Sequence, residues 1–181
     1  MFLFEVLQSM KVTLSMILAY GFSVTIAGSI KAWVAKKAGD YTPEHTGFLT
    51  LDPIAHIDPI GMLFMLFAGF GWGRYITINP HNINPPYRDI KIISTYYTTS
   101  IVHILLSVLS ILTSVGVQVI STKYLGETAI GNTILGICSI AMGLNIALAM
   151  LRFIQSSVDL IFIHIILQKN TNRAHRKNSK F

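Results

Sequence analysis

Apolar residues in this chain gather into long runs, not into one-sided or alternating patterns. Five such segments stand out, near 12–30, 59–78, 92–120, 129–151 and 153–168. A membrane-crossing helix needs about 20 apolar residues, with tilt and snorkelling adding tolerance. The first, third and fourth segments meet that length. The second carries Gly61, Gly69, Gly71 and Gly73, which predict an irregular end, and the fifth is short and holds Asp159 and His164, which predict half-burial among its neighbours. Between the first two runs, residues 39–58 are polar and turn-rich, with apolar Phe48, Leu49, Leu51, Ile54 and Ile57 interspersed. Asp52-Pro53 and Asp58-Pro59 interrupt any helix there, because the residue before proline avoids the α region. A short β-hairpin or re-entrant loop near 47–60 follows, shielded by protein wherever it reaches membrane depth. Pro80, Pro85 and Pro86 make 79–89 a rigid surface connection. The predicted fold class is an all-α integral membrane protein, a bundle of about five hydrophobic helices with that small element. Residues 1–168 form one multi-pass domain and 169–181 a basic tail.

Composition supports the membrane reading. The chain is 52% hydrophobic and 12% charged, whereas a soluble domain carries about a quarter charged residues. Lys169, Arg173, Arg176, Lys177 and Lys180 crowd the C-terminus. A basic cluster beside a span reads as a positive-inside anchor, and no nucleic-acid partner is expected. If all five segments cross, Lys31, Lys36, Lys37, Lys123 and the tail share one side, facing Lys11, Arg74, Arg88, Lys91 and Arg152. That bias places the C-terminus in the cytoplasm. Lys11, the first apolar run and Ala27-Gly28-Ser29 have the outline of a secretory signal, but the run is long for one and reads as a retained span. The single cysteine, Cys138, forms neither an internal disulfide nor a cysteine-based zinc site.

Three stretches carry a resemblance: AWVAKKAGD at 32–40, GFLTLDPIAHIDPIG at 47–61 and GWGRYITINPHNINPPYRD at 71–89. Together they resemble the short multi-pass branch of the site-2 protease family, the intramembrane zinc metalloproteases. That family places an HExxH motif just before its "AW-x-A" stretch. Here those positions are Ala27, Gly28, Ser29, Ile30 and Lys31. Such a hydrolase needs two helical histidines four residues apart, a third ligand and a carboxylate base. Ala27 has no donor, Gly28 replaces the base, and the ammonium of Lys31 repels a cation. The family's Ala-Gly-Pro-x-x-Asn stretch is matched by Tyr96, Tyr97, Thr98, Thr99, Ser100 and Ile101, where two tyrosines would crowd the cleft. Asn145 matches the last family asparagine. The proline-rich turn after it is replaced by Gln155-Ser156-Ser157-Val158, and Asp159, a vestigial counterpart of the third metal ligand, falls one residue short of register with Leu160 in place of glycine. The resemblance therefore implies zinc in active relatives and no cofactor here. It also implies that the 47–61 element offers an edge where a substrate segment adds as a strand.

Other chemistry reads as structural. Asp52, His56 and Asp58, with His45 and His81 elsewhere, are possible metal ligands, but Asp and polar neighbours in a turn usually satisfy backbone groups. His103 and His164, inside spans, read as interhelical hydrogen-bonding groups. Ser29 and Lys31 are two apart on a helix, about 200° around its axis, and do not form a nucleophile–base pair. Gly69 to Gly73 lacks the context of a nucleotide loop. Charges at membrane depth are usually paired, so a Lys31–Asp159 ion pair is one expectation in place of the metal bridge, with Arg152–Asp159 as its competitor; the other is that Lys31 snorkels to the cytoplasmic interface.

These readings converge on a catalytically inactive site-2 protease homologue in a membrane, by resemblance a bacterial cytoplasmic membrane. Its partners are the lipid bilayer and a membrane protein or transmembrane substrate segment. Asp52, His56, Asp58, Pro59, Gly61, Asn79 and Pro80 are the expected binding or structural loop residues. The alternatives are residual metalloprotease activity through a rerouted site using Asp159, and a structural subunit of a membrane complex. A proton-relaying transporter through Asp159, His103 and His164 lacks the matched half-helices that fold requires.

Overall fold

The computed structural model describes residues 2–125 and 128–178. Its helices are α1 (Phe2–Ala38), α2 (Thr42–His45), α3 (Pro53–His56), α4 (Pro59–Ala68), α5 (Arg88–Ile120) and α6 (Ala129–Asn178). Among the described residues, three stretches are long and apolar enough to cross a membrane: Ser9–Ala38, Arg88–Lys123 and Ala129–Ile166. α5 lies along α6, and α1 packs against both. The outward faces stay apolar, with Leu18, Phe22, Leu105, Leu112 and Phe162 exposed as lipid-facing side chains would be.

Three spanning helices stand where about five were expected, for two reasons. The fourth and fifth segments fuse into α6. Nothing at Leu151-Arg152-Phe153 breaks a helix; a lone charge does not end one when its donors are satisfied, and Arg152 donates to Gln155 Oε1 at 2.7 Å and to the Gly73 carbonyl at 2.6 Å. The basic tail continues the same helix as far as Asn178, while Lys180 lies outside the described residues. The second segment yields only α4, ten residues long and closed by Gly69 at φ 76°. That is half the length a span requires.

The expected hairpin near 47–60 is replaced by two short capped helices. Asp52 and Asp58 stay extended and accept backbone N–H bonds from Ile54 and Gly61, with Pro53 and Pro59 in the first turn of α3 and α4. The residue before proline is excluded from helix but well suited to capping one, and proline's missing N–H costs nothing there. No strand forms among the described residues; Ile57 pairs with Gly73 in a single antiparallel bridge. Residues 71–73 lie tightly on α4: a Cβ on Gly61 would meet the Trp72 carbonyl oxygen at 2.0 Å, and one on Gly71 would meet the Gly61 carbonyl oxygen at 2.1 Å. Tyr20 of α1 holds this strip from the other side, its hydroxyl donating to the Trp72 carbonyl at 2.6 Å.

Two buried clusters flank the central helices. One joins Ala35 and Ala38 of α1 to Ile76, Ile78, Ile83, Ile92 and Tyr96. The other joins Tyr20 and Val24 to Met65, Leu144 and Leu148. The space between them holds the polar site described next.

Candidate functional site

Val24, Ala27, Gly28 and Lys31 form one stripe of α1, spaced as helical neighbours are. Facing them are His56 at the end of α3, Gly73, Arg74 and Ile76 of the extended strip, Thr99 and His103 of α5, and Arg152 of α6. These side chains enclose a cavity of about 10 Å³, room for about one water molecule. Ala27, Gly28 and Lys31 thus line one buried point, which Asp159 does not reach.

The chemistry gathered there is unusual. His56 is 2% exposed. Its Nε2 lies 2.9 Å from the Thr50 carbonyl, so that nitrogen carries the proton and donates; a neutral ring then keeps its lone pair on Nδ1. Nδ1 is buried with no hydrogen-bond partner among the described residues. Ser29 sits beside the ring, 3.3 Å from Nε2, and its hydroxyl donates to the Thr50 carbonyl. Gly28 makes the seat possible, because a Cβ there would lie 2.2 Å from Nδ1.

His103 is fixed by a chain of polar contacts across all three spans. Asn145 Nδ2 donates to Ser23 Oγ at 3.0 Å and to the Ala141 carbonyl at 2.8 Å. With both amide hydrogens used, Asn145 Oδ1 is the acceptor for His103 Nδ1, 2.9 Å away. The expected interhelical role of His103 and the match at Asn145 meet in one network.

Lys31 is 6% exposed. Its ammonium lies over the rings of Tyr96 at 5.3 Å and Tyr75 at 5.9 Å. No hydrogen bond from it is found among the described residues. Tyr96 is buried beside Lys31 and Tyr97 turns away to Ser157 at 2.9 Å, so the two tyrosines expected to crowd the cleft do not line it. Lys31 and Asp159 do not form the direct ion pair expected of them. Tyr75 stands between, its hydroxyl donating to Asp159 Oδ2 at 3.1 Å. Burial, then the Asp159 charge and that hydrogen bond, push the Tyr75 hydroxyl up to about 12. Arg152 does not pair with Asp159 either, since its guanidinium is engaged with Gly73 and Gln155.

The donor set does not fit a divalent metal. Ala27 and Gly28 offer no ligand, Asp159 does not line the cavity, and Lys31 and Arg152 place positive charge against it. A zinc site takes at least three nitrogen, sulfur or oxygen ligands, and no group of three His, Cys, Asp or Glu residues among those described could hold a metal. Of the remaining loop residues, Asp52, Asp58, Pro59 and Gly61 build the α3 and α4 starts. The Asn79 side chain accepts from the His81 N–H at 3.1 Å, and the Pro80 carbonyl accepts from Arg88 at 2.8 Å. His45 stacks on Tyr41, ring centroids 6.4 Å apart.

Two residues that matter carried little signal in the sequence. Tyr75 sits in a strip without periodicity. Asp40 is fully buried and accepts from the Thr42 N–H and hydroxyl, the Asn79 N–H and the Asn82 amide at 2.6–3.1 Å. Its position just past a helix end, two residues before Thr42, is the only hint of that role. On the membrane-facing side, Leu18 and Phe22 of α1, Leu106 and Leu109 of α5 and Ile137 and Ala141 of α6 line an apolar cleft of about 640 Å³, with Ser23 and Asn145 at its floor.

No protein-family model and no solved structure matches this chain. The Bacillus subtilis (strain 168) protein named "Putative zinc metalloprotease YwhC" is 45% identical over 64 residues, which cover 35% of this chain and 29% of that relative. The chain thus matches less than a third of the relative's length. That identity supports a site-2 protease-like relationship for a chain whose three long apolar helices suit a membrane.

Proposed function

We propose that this protein is a proteolytically inactive member of the site-2 protease lineage that holds a transmembrane segment or a membrane-protein partner without cutting it. One observation carries the reading. The stripe that should present two imidazoles and a carboxylate presents Ala27, Gly28 and Lys31, and the His56 ring occupies the space beside position 28. A hydrolytic centre lacks its ligands and its base together, so a single compensating change does not rebuild one. Around it lie a bridged strip at Ile57 and Gly73 and an apolar cleft between the three spans. A cleft lined by Leu, Phe and Ile with an asparagine and a serine at its floor suits an apolar helix carrying a polar residue, since polar side chains join helices in lipid.

Charge placement supports an orientation. With three spans, Lys36, Lys37, Arg88, Lys91 and Lys169 flank one side, and Lys11 and Lys123 the other. Arg88 and Lys91 thereby join the side of the C-terminus, which strengthens the bias, and the proposed arrangement keeps the 39–87 connection and the tail in the cytoplasm.

The test is metal content of the detergent-purified protein, beside an Asp159→Ala variant. The proposal expects no stoichiometric zinc in either. Zinc near one per chain, lost with Asp159, would overturn it in favour of a rerouted metalloprotease. Capture is tested by photocrosslinking from Leu109 and Phe22 in membranes. Adducts to one defined transmembrane protein support the reading; adducts to lipid alone defeat the partner half of it.

A further inference from the structure

The cavity at Ala27, Gly28 and Lys31 is chemically inverted with respect to a metal site: it is lined by cations. Lys31 enters from α1, Arg152 from α6 and Arg74 from the extended strip, and no carboxylate lines it. We propose that this cavity is a binding site for a small monatomic anion of the halide class, held chiefly by the Lys31 ammonium.

Three features support the assignment. A buried ammonium is expensive unless it is paired and hydrogen-bonded. Lys31 is buried, yet its carboxylate neighbour Asp159 is held away by Tyr75 and its ammonium faces two aromatic rings. Ring faces compensate a cation only in part. Second, Arg152 adds charge of the same sign, which leaves the cavity wall with a surplus of positive charge. Third, the volume of about 10 Å³ suits a particle close to water in size. A halide is larger than water and needs the walls to yield a little, whereas phosphate, sulfate or a side-chain carboxylate would need them to part.

The inference is independent of partner capture, since it rests on the cavity wall alone. The experiment uses the full chain in detergent. Thermal unfolding is followed while chloride replaces gluconate at constant ionic strength. The wild type is expected to show a saturable rise in Tm, because a ligand bound only to the folded state stabilises it by mass action. Lys31→Arg keeps the rise. Lys31→Met weakens half-saturation by at least about tenfold, equal to about 1.4 kcal/mol. No saturable rise over gluconate, or the same rise in Lys31→Met, overturns the proposal. If Lys31→Met does not fold, bromide-soaked crystals of the wild type decide. An anomalous peak between Lys31 Nζ and His56 Nδ1 sustains the site, and a peak only elsewhere, or none, removes it.

Discussion

A Cβ on Gly28 would stand 2.2 Å from Nδ1 of His56. The loop histidine and the helix glycine therefore occupy one space, and each sets what the other position can be. Gly28→Ala is expected to destabilise the protein by about 1–3 kcal/mol, the usual cost of overfilling a packed site. His56→Ala should destabilise it too, by emptying the seat. The double variant should lose less than the sum of the two, because the added methyl then enters the vacated volume. Thermal unfolding in one detergent measures all three, and strict additivity would show that the two residues do not share the space.

Tyr75 links the two intramembrane charges. Its hydroxyl donates to Asp159 and its ring lies beneath Lys31. Tyr75→Phe and Asp159→Asn should therefore be non-additive in stability, while the swap Lys31→Asp with Asp159→Lys should recover little, because the pair is not in contact. Full recovery by the swap would restore the direct ion pair. The pH dependence follows from the raised Tyr75 value of about 12. The folded state favours the protonated phenol, so its contribution is complete below the ordinary tyrosine value of about 10 and is lost as pH rises towards 12. An alkaline unfolding series in that window should be flatter for Tyr75→Phe than for the wild type.

The two aspartate–proline pairs show where the sequence was legible and where it was not. Both proline brakes were visible, but a brake and an N-cap look the same until the direction of the following helix is known. Asp52 and Asp58 turned out to start helices. Segment counting failed for a similar reason. Arg152 suggested a border between two spans, yet its hydrogen bonds reach across to residue 73, and α6 passes through without a break. By contrast, the stripe at 27, 28 and 31 was readable, because helical spacing alone places those side chains together. Tyr75 and His56 could not be placed opposite that stripe by local pattern. Their positions depend on the non-local bridge between Ile57 and Gly73.

Asn145 is the junction of the three spans, joined to His103 and Ser23 while 2% exposed. Asn145→Ala removes the partner of both and should cost roughly 1–2 kcal/mol, at the upper end for interhelical hydrogen bonds in lipid. Asn145→Asp should be worse than Asn145→Ala, since it presents a second acceptor to Ser23 and places a charge in the bundle core. Unfolding in mild detergent reads the order, and equal stability of Asn145→Ala and the wild type would remove the network from any structural role.

Asp40 organises the connection after α1, and its role separates the loop's architecture from its capacity to bind. Its carboxylate is fully buried and receives backbone N–H bonds from Thr42 and Asn79, the Thr42 hydroxyl and the Asn82 amide. Removing one acceptor from several buried donors costs each of them its desolvation, about 1–3 kcal/mol apiece before relaxation. Asp40→Ala is therefore expected to unravel the 39–84 connection locally, with limited proteolysis cutting there first. Asp52→Ala removes an exposed cap from a four-residue helix and should cost only about 1 kcal/mol. If both variants keep the loop resistant to protease but only Asp52→Ala weakens partner crosslinking, the loop's polar residues act in recognition. If crosslinking falls only where protease resistance falls, they hold the fold, and binding belongs to the apolar cleft between the spans.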